Sequence, residues 1–321
     1  MFKRILFATD FSPHAEIAKR VAMRLAQADD KQLWAVAVLE EWEEPLTEAD
    51  EPPMVSPATW ERELEKEQQA LERQEERLLD RDVAEMEAEG IRVHKILREG
   101  DPAEEIVAAA QEIGADLIVV GSHSRRNIWD IEMGNTAAKV AKKAPCPVLV
   151  VSHRPPHPGP EHERILFATD FSPHAEQAFK IALTLAKETE GRIWLVSVIE
   201  PGEEIPMPPG FVVEAPDAEV RELEKELRAD VEAKVRRNLE VLAQQASDAG
   251  VKTEISIRHG HIAKEIRKAA VDVEADVIVM GTHSRRSLWD KLLGNTSQNV
   301  AQHASCPVLL VSHTTNKRRP T

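Results

Sequence analysis

Short runs of apolar residues alternate along this chain with longer segments in which apolar residues recur every three or four positions. The runs Ile5–Ala8 and Leu33–Leu39 are continuously apolar, which is typical of strands covered on both faces of a sheet. Between them, Ser12 and Pro13 predict a helix start, with Ser12 as the N-cap and Pro13 at the first helical position. The alternation of strand and helix predicts an α/β fold.

The same pattern continues through the following residues. A long charged helix is predicted from Trp60 to Glu89, and Gly90 ends it as a C′ glycine. Further strands are predicted at Ile91–Leu97, Leu117–Val120 and Val148–Val151, with helices at Pro102–Ile113 and Thr136–Lys143 and an acidic, proline-rich loop at Glu41–Pro57. Because β-α-β crossovers are right-handed, this order predicts a doubly wound, five-stranded parallel sheet with helices on both faces.

The whole pattern occurs twice. The segment Lys3–Glu16 recurs almost letter for letter as Glu163–Glu176, and Gly121 and Cys146 return at the same offset as Gly281 and Cys306. A constant offset indicates a tandem duplication of a complete domain. The predicted organisation is a first domain at 1–152, a proline-rich linker at 153–162, a second domain at 163–313 and a basic, disordered tail at 314–321.

Composition narrows the function. At 321 residues, with 42% hydrophobic and 30% charged residues, the chain is typical of globular proteins, and its net charge of −15 argues against nucleic acid and anionic membranes as partners. The segment Met1–Phe7 meets Asp10 too early for a signal peptide, and no apolar run reaches the ~18 residues of a membrane helix. Cys146 and Cys306 are expected to be buried, reduced thiols, which favours a cytoplasmic location.

Candidate chemistry lies at the carboxyl ends of the strands, where doubly wound sheets bind ligands. The loop Gly121-Ser122-His123-Ser124-Arg125-Arg126 follows the fourth strand, and Gly134-Asn135-Thr136 opens the next helix. A glycine loop ahead of a helix N-terminus is typical of an anion site. The Rossmann pattern GxGxxG is absent after the first strand, and the P-loop pattern is absent altogether.

Several of these motifs together resemble the universal stress protein family in its tandem form, with the adenine-nucleotide alpha-hydrolase-like fold. They are Ile-Leu-Phe-Ala-Thr-Asp-Phe-Ser, Gly-x-His-Ser, Gly-Asn-Thr and Cys-Pro-Val-Leu, each present in both halves. ATP-binding members of that family carry Gly-x2-Gly-x9-Gly-(Ser/Thr). Gly121 and Gly134 match the first and third glycines, whereas Ser124 replaces the second and Asn135 follows the third. The second half departs identically, at Ser284 and Asn295.

The resemblance implies that ATP or a related adenine nucleotide binds in each half, with Mg²⁺ on its phosphates. It places the ribose on Asp10 and Asp170 and the phosphates on the glycine loops and Thr136 or Thr296, while Val38, Val198, Val120 and Met280 line the adenine. The candidate binding residues are Ala8, Thr9, Asp10, Val38, Val120, Gly121, His123, Ser124, Arg125, Gly134, Asn135 and Thr136, and Ala168, Thr169, Asp170, Val198, Met280, Gly281, His283, Ser284, Arg285, Gly294, Asn295 and Thr296.

Other readings stay open. Asp10 either contacts the ribose or caps the turn after its strand, and the arginine pairs Arg125-Arg126 and Arg285-Arg286 either face a triphosphate or are solvated. A non-nucleotide interaction protein, in which Ser124 and Ser284 mark a lost site, is the alternative to a nucleotide-binding regulator. No catalytic residue or metal ligand set stands out, although weak ATP hydrolysis with Mg²⁺ stays open.

The resemblance also has implications for assembly. Single-domain relatives pair through their last strands, so Val148–Val151 and Val308–Val311 are expected to pair within the chain as a pseudo-dimer. The sequence also permits a further homodimer, and an unidentified protein partner is expected.

Overall fold

The computed structural model describes residues 1–28, 30–39, 57–122, 135–152, 164–200, 218–282 and 295–312. We call residues 1–152 the first half and residues 164–312 the second half. The first half contains β1 Arg4–Thr9, α1 Pro13–Leu25, β2 Gln32–Leu39, α2 Pro57–Ala88, β3 Val93–Glu99, α3 Pro102–Ile113, β4 Leu117–Gly121, α4 Asn135–Lys143 and β5 Val148–Val151. The second half contains β6 Arg164–Ala168, α5 Pro173–Glu188, β7 Arg192–Ile199, α6 Ala218–Asp248, β8 Lys252–His259, α7 Ile262–Asp272, β9 Val277–Gly281, α8 Asn295–His303 and β10 Val308–Val311.

The described strands form one ten-stranded sheet in the order β3-β2-β1-β4-β5-β10-β9-β6-β7-β8. Within each half all neighbouring strands are parallel, which confirms the predicted α/β class and strand set. The halves meet through β5 and β10, which pair antiparallel with Leu149 opposite Leu309. This is the intrachain pairing that the resemblance implies. Because the central pair is antiparallel, the carboxyl ends of β1 and β4 lie at the opposite edge of the sheet from those of β6 and β9.

Helices cover both faces of the sheet. One apolar layer contains Val21 of α1 and Met86 of α2, and the other contains Ile106 of α3 and Val140 of α4, all 5% exposed or less. Corresponding residues of α5 to α8 continue both layers across the second half. Apart from the edge strands β3 and β8, the strands therefore have side chains buried on both faces, which explains their continuous apolar runs.

Helix ends follow the local sequence. Ser12 Oγ accepts a hydrogen bond from the Ala15 N–H at 3.2 Å, and Asp101 Oδ1 accepts from the N–H groups of Ala103 and Glu104 at 2.9 and 3.0 Å. Gly90 has φ +80°, as a C′ glycine requires. Helix α2 begins at Pro57, earlier than the expected Trp60, because proline is tolerated in a first helical turn. The linker, the C-terminal tail and most of the two acidic loops lie outside the described residues.

Candidate functional site

The turn after β1 is built from side chains that hydrogen-bond to the backbone two residues ahead. Thr9 Oγ1 accepts from the Phe11 N–H at 3.0 Å, and Asp10 Oδ1 accepts from the Ser12 N–H at 3.0 Å. In the second half Thr169 and Asp170 do the same at 2.9 and 3.0 Å. Asp10 therefore caps the turn with one carboxylate oxygen. A carboxylate has two oxygens that accept hydrogen bonds, so the capping contact does not conflict with a contact to ribose. The ribose role of Asp10 stays a prediction.

The turn holds its aromatic residue in a strained backbone conformation. Phe11 and Phe171 both have φ 59°, in the left-handed region. A residue other than glycine rarely adopts this region, at a cost of about 1–3 kcal/mol. The hydrogen bonds on either side and the packing of both phenylalanines on the apolar core hold them there. Strain of this kind is concentrated at functional sites, so its presence in both halves supports a function for this turn.

Gly121 lies where the end of β4 meets the start of α1. A Cβ added at Gly121 would be 3.2 Å from the carbonyl carbon of His14 and 3.3 Å from the nitrogen of Ala15. At Gly281 the corresponding contacts are tighter, 3.0 Å to His174 Cβ and 3.1 Å to its carbonyl carbon. Packing against the start of α1 or α5 therefore favours glycine at the end of β4 and of β9, whether or not a ligand binds.

This arrangement brings two histidines to the site that were not among the sequence candidates. His14 and His174 follow the helix-starting prolines and are half-buried beside Gly121 and Gly281. The repeated Ser-Pro-His was visible in the sequence. Its proximity to a glycine more than a hundred residues away follows only from β1 and β4 being neighbours in the sheet.

The order β2-β1-β4 creates the switch point of the sheet between β1 and β4, because the chain leaves β1 toward β2 and returns past it to β4. Beside this point Ala8, Val38 and Val120 belong to one apolar cluster. Ala8 and Val120 are buried, whereas Val38 is half-buried. Ala168, Val198 and Met280 have the same arrangement in the second half. The residues expected to line an adenine thus lie together in each half.

The helix after β4 supplies the remaining described candidates. Helix α4 begins at Asn135 and α8 begins at Asn295, and Thr136 and Thr296 are half-buried in their first turns. A helix N-terminus carries partial positive charge and favours an anion. In α8, Ser297 Oγ donates a hydrogen bond to the Thr282 carbonyl oxygen, at 2.9 Å, and so joins the start of this helix to the end of β9.

Several candidates lie outside the described residues, so their predicted roles stay predictions. They are His123, Ser124, Arg125, Arg126 and Gly134 in the first half, and His283, Ser284, Arg285, Arg286 and Gly294 in the second. Among the residues that the structure does describe, no three His, Cys, Asp or Glu side chains are grouped so as to hold a metal ion. Nor is any helix in the described ranges long and apolar enough to span a membrane.

The two cysteines precede β5 and β10 and lie away from the carboxyl ends of the strands that form the candidate site. Cys146 and Cys306 are unpaired and buried at the entrance to β5 and β10, as predicted. Burial, with a smaller contribution from the charge of Asp116, raises the pKa of Cys146 to about 12. Burial and Asp276 do the same for Cys306, whose pKa is also about 12. Both thiols stay protonated near neutral pH and are poor nucleophiles.

The fold and motifs agree with a known family. A sequence model of the universal stress protein family matches residues 1–152 and again residues 161–312. The chain belongs to the universal stress protein family. It is a tandem member, since the family pattern occurs twice.

Several universal stress proteins resemble about half of the chain. Universal stress protein MJ0577 of Methanocaldococcus jannaschii is 31% identical over 154 residues, which is 47% of this chain and 94% of the relative. Universal stress protein MJ0531 of the same organism is 35% identical over 150 residues, 47% of this chain and 82% of the relative. The crystal structure of a universal stress protein from Archaeoglobus fulgidus superimposes with a TM-score of 0.64 at 20% identity, covering 96% of both chains, and so shares the fold.

Proposed function

We propose that this chain is a cytoplasmic stress-response regulatory protein that binds ATP or a related adenine nucleotide in each half. The observation that carries the proposal is the strained turn at Phe11 and Phe171, which lies beside the switch point in both halves. The left-handed conformation costs free energy at phenylalanine, which its packing on the apolar core and the flanking hydrogen bonds offset. A ligand that requires Asp10 and Asp170 in a fixed position would explain why the strain is retained twice.

The residues present fit an adenine nucleotide. The apolar wall of Ala8, Val38 and Val120 offers a surface for a flat, weakly polar base, and the Asp10 carboxylate next to it can accept hydrogen bonds from ribose hydroxyls. In α1, Pro13 has no N–H group, and the N–H groups of Ala15 and Glu16 bond to Ser12. We therefore assign the phosphates to the N-terminus of α4, with Thr136 and the preceding loop. Bound Mg²⁺ would balance phosphate charge there.

The main alternative is an interaction protein with a degenerate site, as the serines at positions 124 and 284 suggest. The two proposals differ in whether the purified protein carries nucleotide. We expect mass spectrometry of the denatured protein to detect an adenine nucleotide, and calorimetry with Mg²⁺ and ATP to record saturable binding. An empty extract together with no heat of binding would refute the nucleotide function and leave the interaction protein.

The combined substitution Asp10→Asn and Asp170→Asn tests the assignment of the ribose. Asparagine keeps an oxygen that can accept from the Ser12 and Ser172 N–H groups, so the turn is preserved while the negative charge is lost. Because charged acceptors form stronger hydrogen bonds, we expect ATP affinity to fall about fivefold to tenfold. Asp30→Asn is the matched control, since Asp30 lies before β2 at the opposite edge, where it pairs with Lys3. Equal affinity in all three proteins would place the nucleotide elsewhere.

A further inference from the structure

The exposed side of helix α7 is basic, although the net charge of the chain is −15. Lys264, Lys268 and Val271 are spaced at i, i+4 and i+7, so they lie along one side of the helix, and all three are exposed. Arg267 is half-buried beside them. The Val271 side chain is 57% exposed, which adds an apolar contact surface to the three cations. We call these four residues the basic stripe.

The duplication shows that packing does not require the basic stripe. The buried residues of α7 are Ala263, Ile266, Ala269 and Ala270, and the same residue types are buried at the equivalent positions of α3. The equivalents of the stripe in α3 are Glu104, Val107, Ala108 and Gln111. The two helices therefore cover the core with the same side chains, and they differ on the side that faces away from it.

The acidic residues of α7 itself do not neutralise the stripe. Arg258 on the edge strand β8 has its Nη2 2.8 Å from Asp272 Oδ2 and its Nη1 3.9 Å from Glu265 Oε2. This one arginine thus engages both carboxylates of α7. Within the described ranges, Lys264 and Lys268 form no ion pair. Their positive charge is available to a partner.

The first half shows how carboxylates pair with cations on this side of the fold. Asp101 pairs with Lys139 of α4 at 3.1 Å. Glu104 pairs with Lys143 of α4 at 3.0 Å. The four equivalent residues of the second half include no carboxylate, and they are His261, Lys264, Asn299 and His303. Pairs that are complete within the first half therefore lack their anionic member in the second.

We propose that the basic stripe is a docking surface for an acidic segment of a partner protein, whose carboxylates face Lys264 and Lys268 and whose apolar side chain covers Val271. One helical turn separates the two lysines, about 6 Å, which matches carboxylates one turn apart on a helix or two residues apart in an extended segment. Charge complementarity of this kind gives a protein interface its specificity. Nucleic acid fits less well, because phosphates offer no apolar contact to Val271 and the net charge of −15 repels a long polyanion.

Fluorescence anisotropy with the full-length protein tests the proposal. The probe is a labelled peptide in which pairs of glutamates alternate with single leucines, and its counterpart has glutamine for each glutamate. We expect the wild type to bind the glutamate peptide more tightly, and salt to weaken this binding. The combined substitution Lys264→Gln and Lys268→Gln should lower the affinity about threefold to tenfold, the range of two exposed charge pairs. Val271→Ala should lower it about threefold, because part of an apolar contact is lost.

A matched control removes the same charge from another surface of the second half. Lys180 and Lys187 are exposed on α5, which covers the opposite face of the sheet. The combined substitution Lys180→Gln and Lys187→Gln should leave the affinity for the glutamate peptide unchanged. An equal loss in this control would show that overall charge causes the binding, and would overturn the proposal.

Further outcomes would also overturn it. They are equal binding of the glutamine peptide, unchanged affinity after Lys264→Gln and Lys268→Gln, and tighter binding of an oligonucleotide of equal charge. A wild-type dimer that these two substitutions dissociate in sedimentation would assign the stripe to a second copy of the chain instead. Because the substituted side chains are exposed, we expect unchanged circular dichroism, and the Val271→Ala result decides if the lysine variant misfolds. The inference does not depend on nucleotide binding.

Discussion

A buried ion cluster between α1 and α2 gives the sharpest test of how this fold is stabilised. Lys19 is 2% exposed, and its Nζ lies 3.2 Å from Asp82 Oδ1, 2.7 Å from Glu85 Oε2 and 2.7 Å from Glu16 Oε2. In the second half the same two positions of the helix pair are Phe179 and Leu242, both of which belong to the apolar layer. The chain therefore contains an apolar counterpart of its own ion pair.

The perturbation is to transfer the apolar pair to the first half, as Lys19→Phe, Asp82→Leu and the double variant. Lys19→Phe leaves the Asp82 carboxylate, 5% exposed, with only the Arg81 guanidinium at 3.6 Å, and Arg81 is itself 67% exposed. Removing one partner of a buried pair costs several kcal/mol, so we expect a loss of about 3 kcal/mol. Asp82→Leu should cost less, about 1 kcal/mol, because Glu16 and Glu85 still hold Lys19.

The double variant should recover most of this loss. A well-packed apolar pair often equals or exceeds a buried ion pair in stability, so we expect it within about 1 kcal/mol of the wild type. The coupling free energy between the two sites would then be about 3 kcal/mol. Urea unfolding at pH 7, followed by circular dichroism, measures the free energy of unfolding of all four proteins. A double variant that is as unstable as the two single losses added together would refute the reasoning, because it would show that Lys19 and Asp82 do not compensate each other.

The stability of the wild type should depend on pH more strongly than that of the double variant. Burial lowers the pKa of Lys19, but the hydrogen bonds with Glu16, Glu85 and Asp82 outweigh it and hold the pKa above its ordinary value of 10.5. The contribution of Lys19 to the free energy of unfolding is complete below pH 10.5 and is lost as the pH rises through the folded-state pKa of Lys19. The hydrogen bond with Lys19 lowers the pKa of Glu85 from its ordinary value of 4.5, so the contribution of Glu85 to stability is lost as the pH falls through the folded-state pKa. The wild type should therefore lose stability relative to the double variant in alkali and in acid.

Two further predictions concern the strand ends. Gly121→Ala and Gly281→Ala should each destabilise the protein by about 1–3 kcal/mol in the absence of ligand, because the added methyl group contacts the backbone of α1 or α5. The effect should be larger at Gly281, where the contacts are shorter. Urea unfolding measures both losses, and unchanged unfolding midpoints would show that the start of the helix moves freely to accommodate the methyl group. Cys146 and Cys306 should resist iodoacetamide in the native protein at pH 8 and react in urea, as mass spectrometry can show, since burial raises the pKa of both thiols to about 12; rapid labelling of the native protein would contradict their burial.

Local sequence predicted the elements of the fold well, because their causes lie within a few residues of each other. The serine and proline at positions 12 and 13 start a helix, as the same pair does at 172 and 173, and Gly90 ends one. The parallel, doubly wound sheet followed from the chirality of crossovers, and the central pairing of β5 with β10 from the family resemblance. Each of these inferences needs only a short segment or a general topological rule.

The features that sequence reasoning missed depend on contacts distant in the chain. Lys19 occupies the same helical stripe as Ala15 and Ala22, and its partner Asp82 belongs to a helix that reads as uniformly charged. The left-handed backbone at Phe11 is not a property of phenylalanine, but of the hydrogen bonds on either side of it.

The duplication separates what packing requires from what it does not. Between α1 and α2 the two halves solve the same burial problem differently, with an ion cluster in one and with Phe179 and Leu242 in the other. At the turn after the first strand they do not differ, since both have the same four residues and φ 59° at the phenylalanine. In each half, packing of the phenylalanine on the apolar core and the flanking hydrogen bonds hold this strained conformation. The same strained turn in both halves therefore supports the proposal that Asp10 and Asp170 contact a ligand.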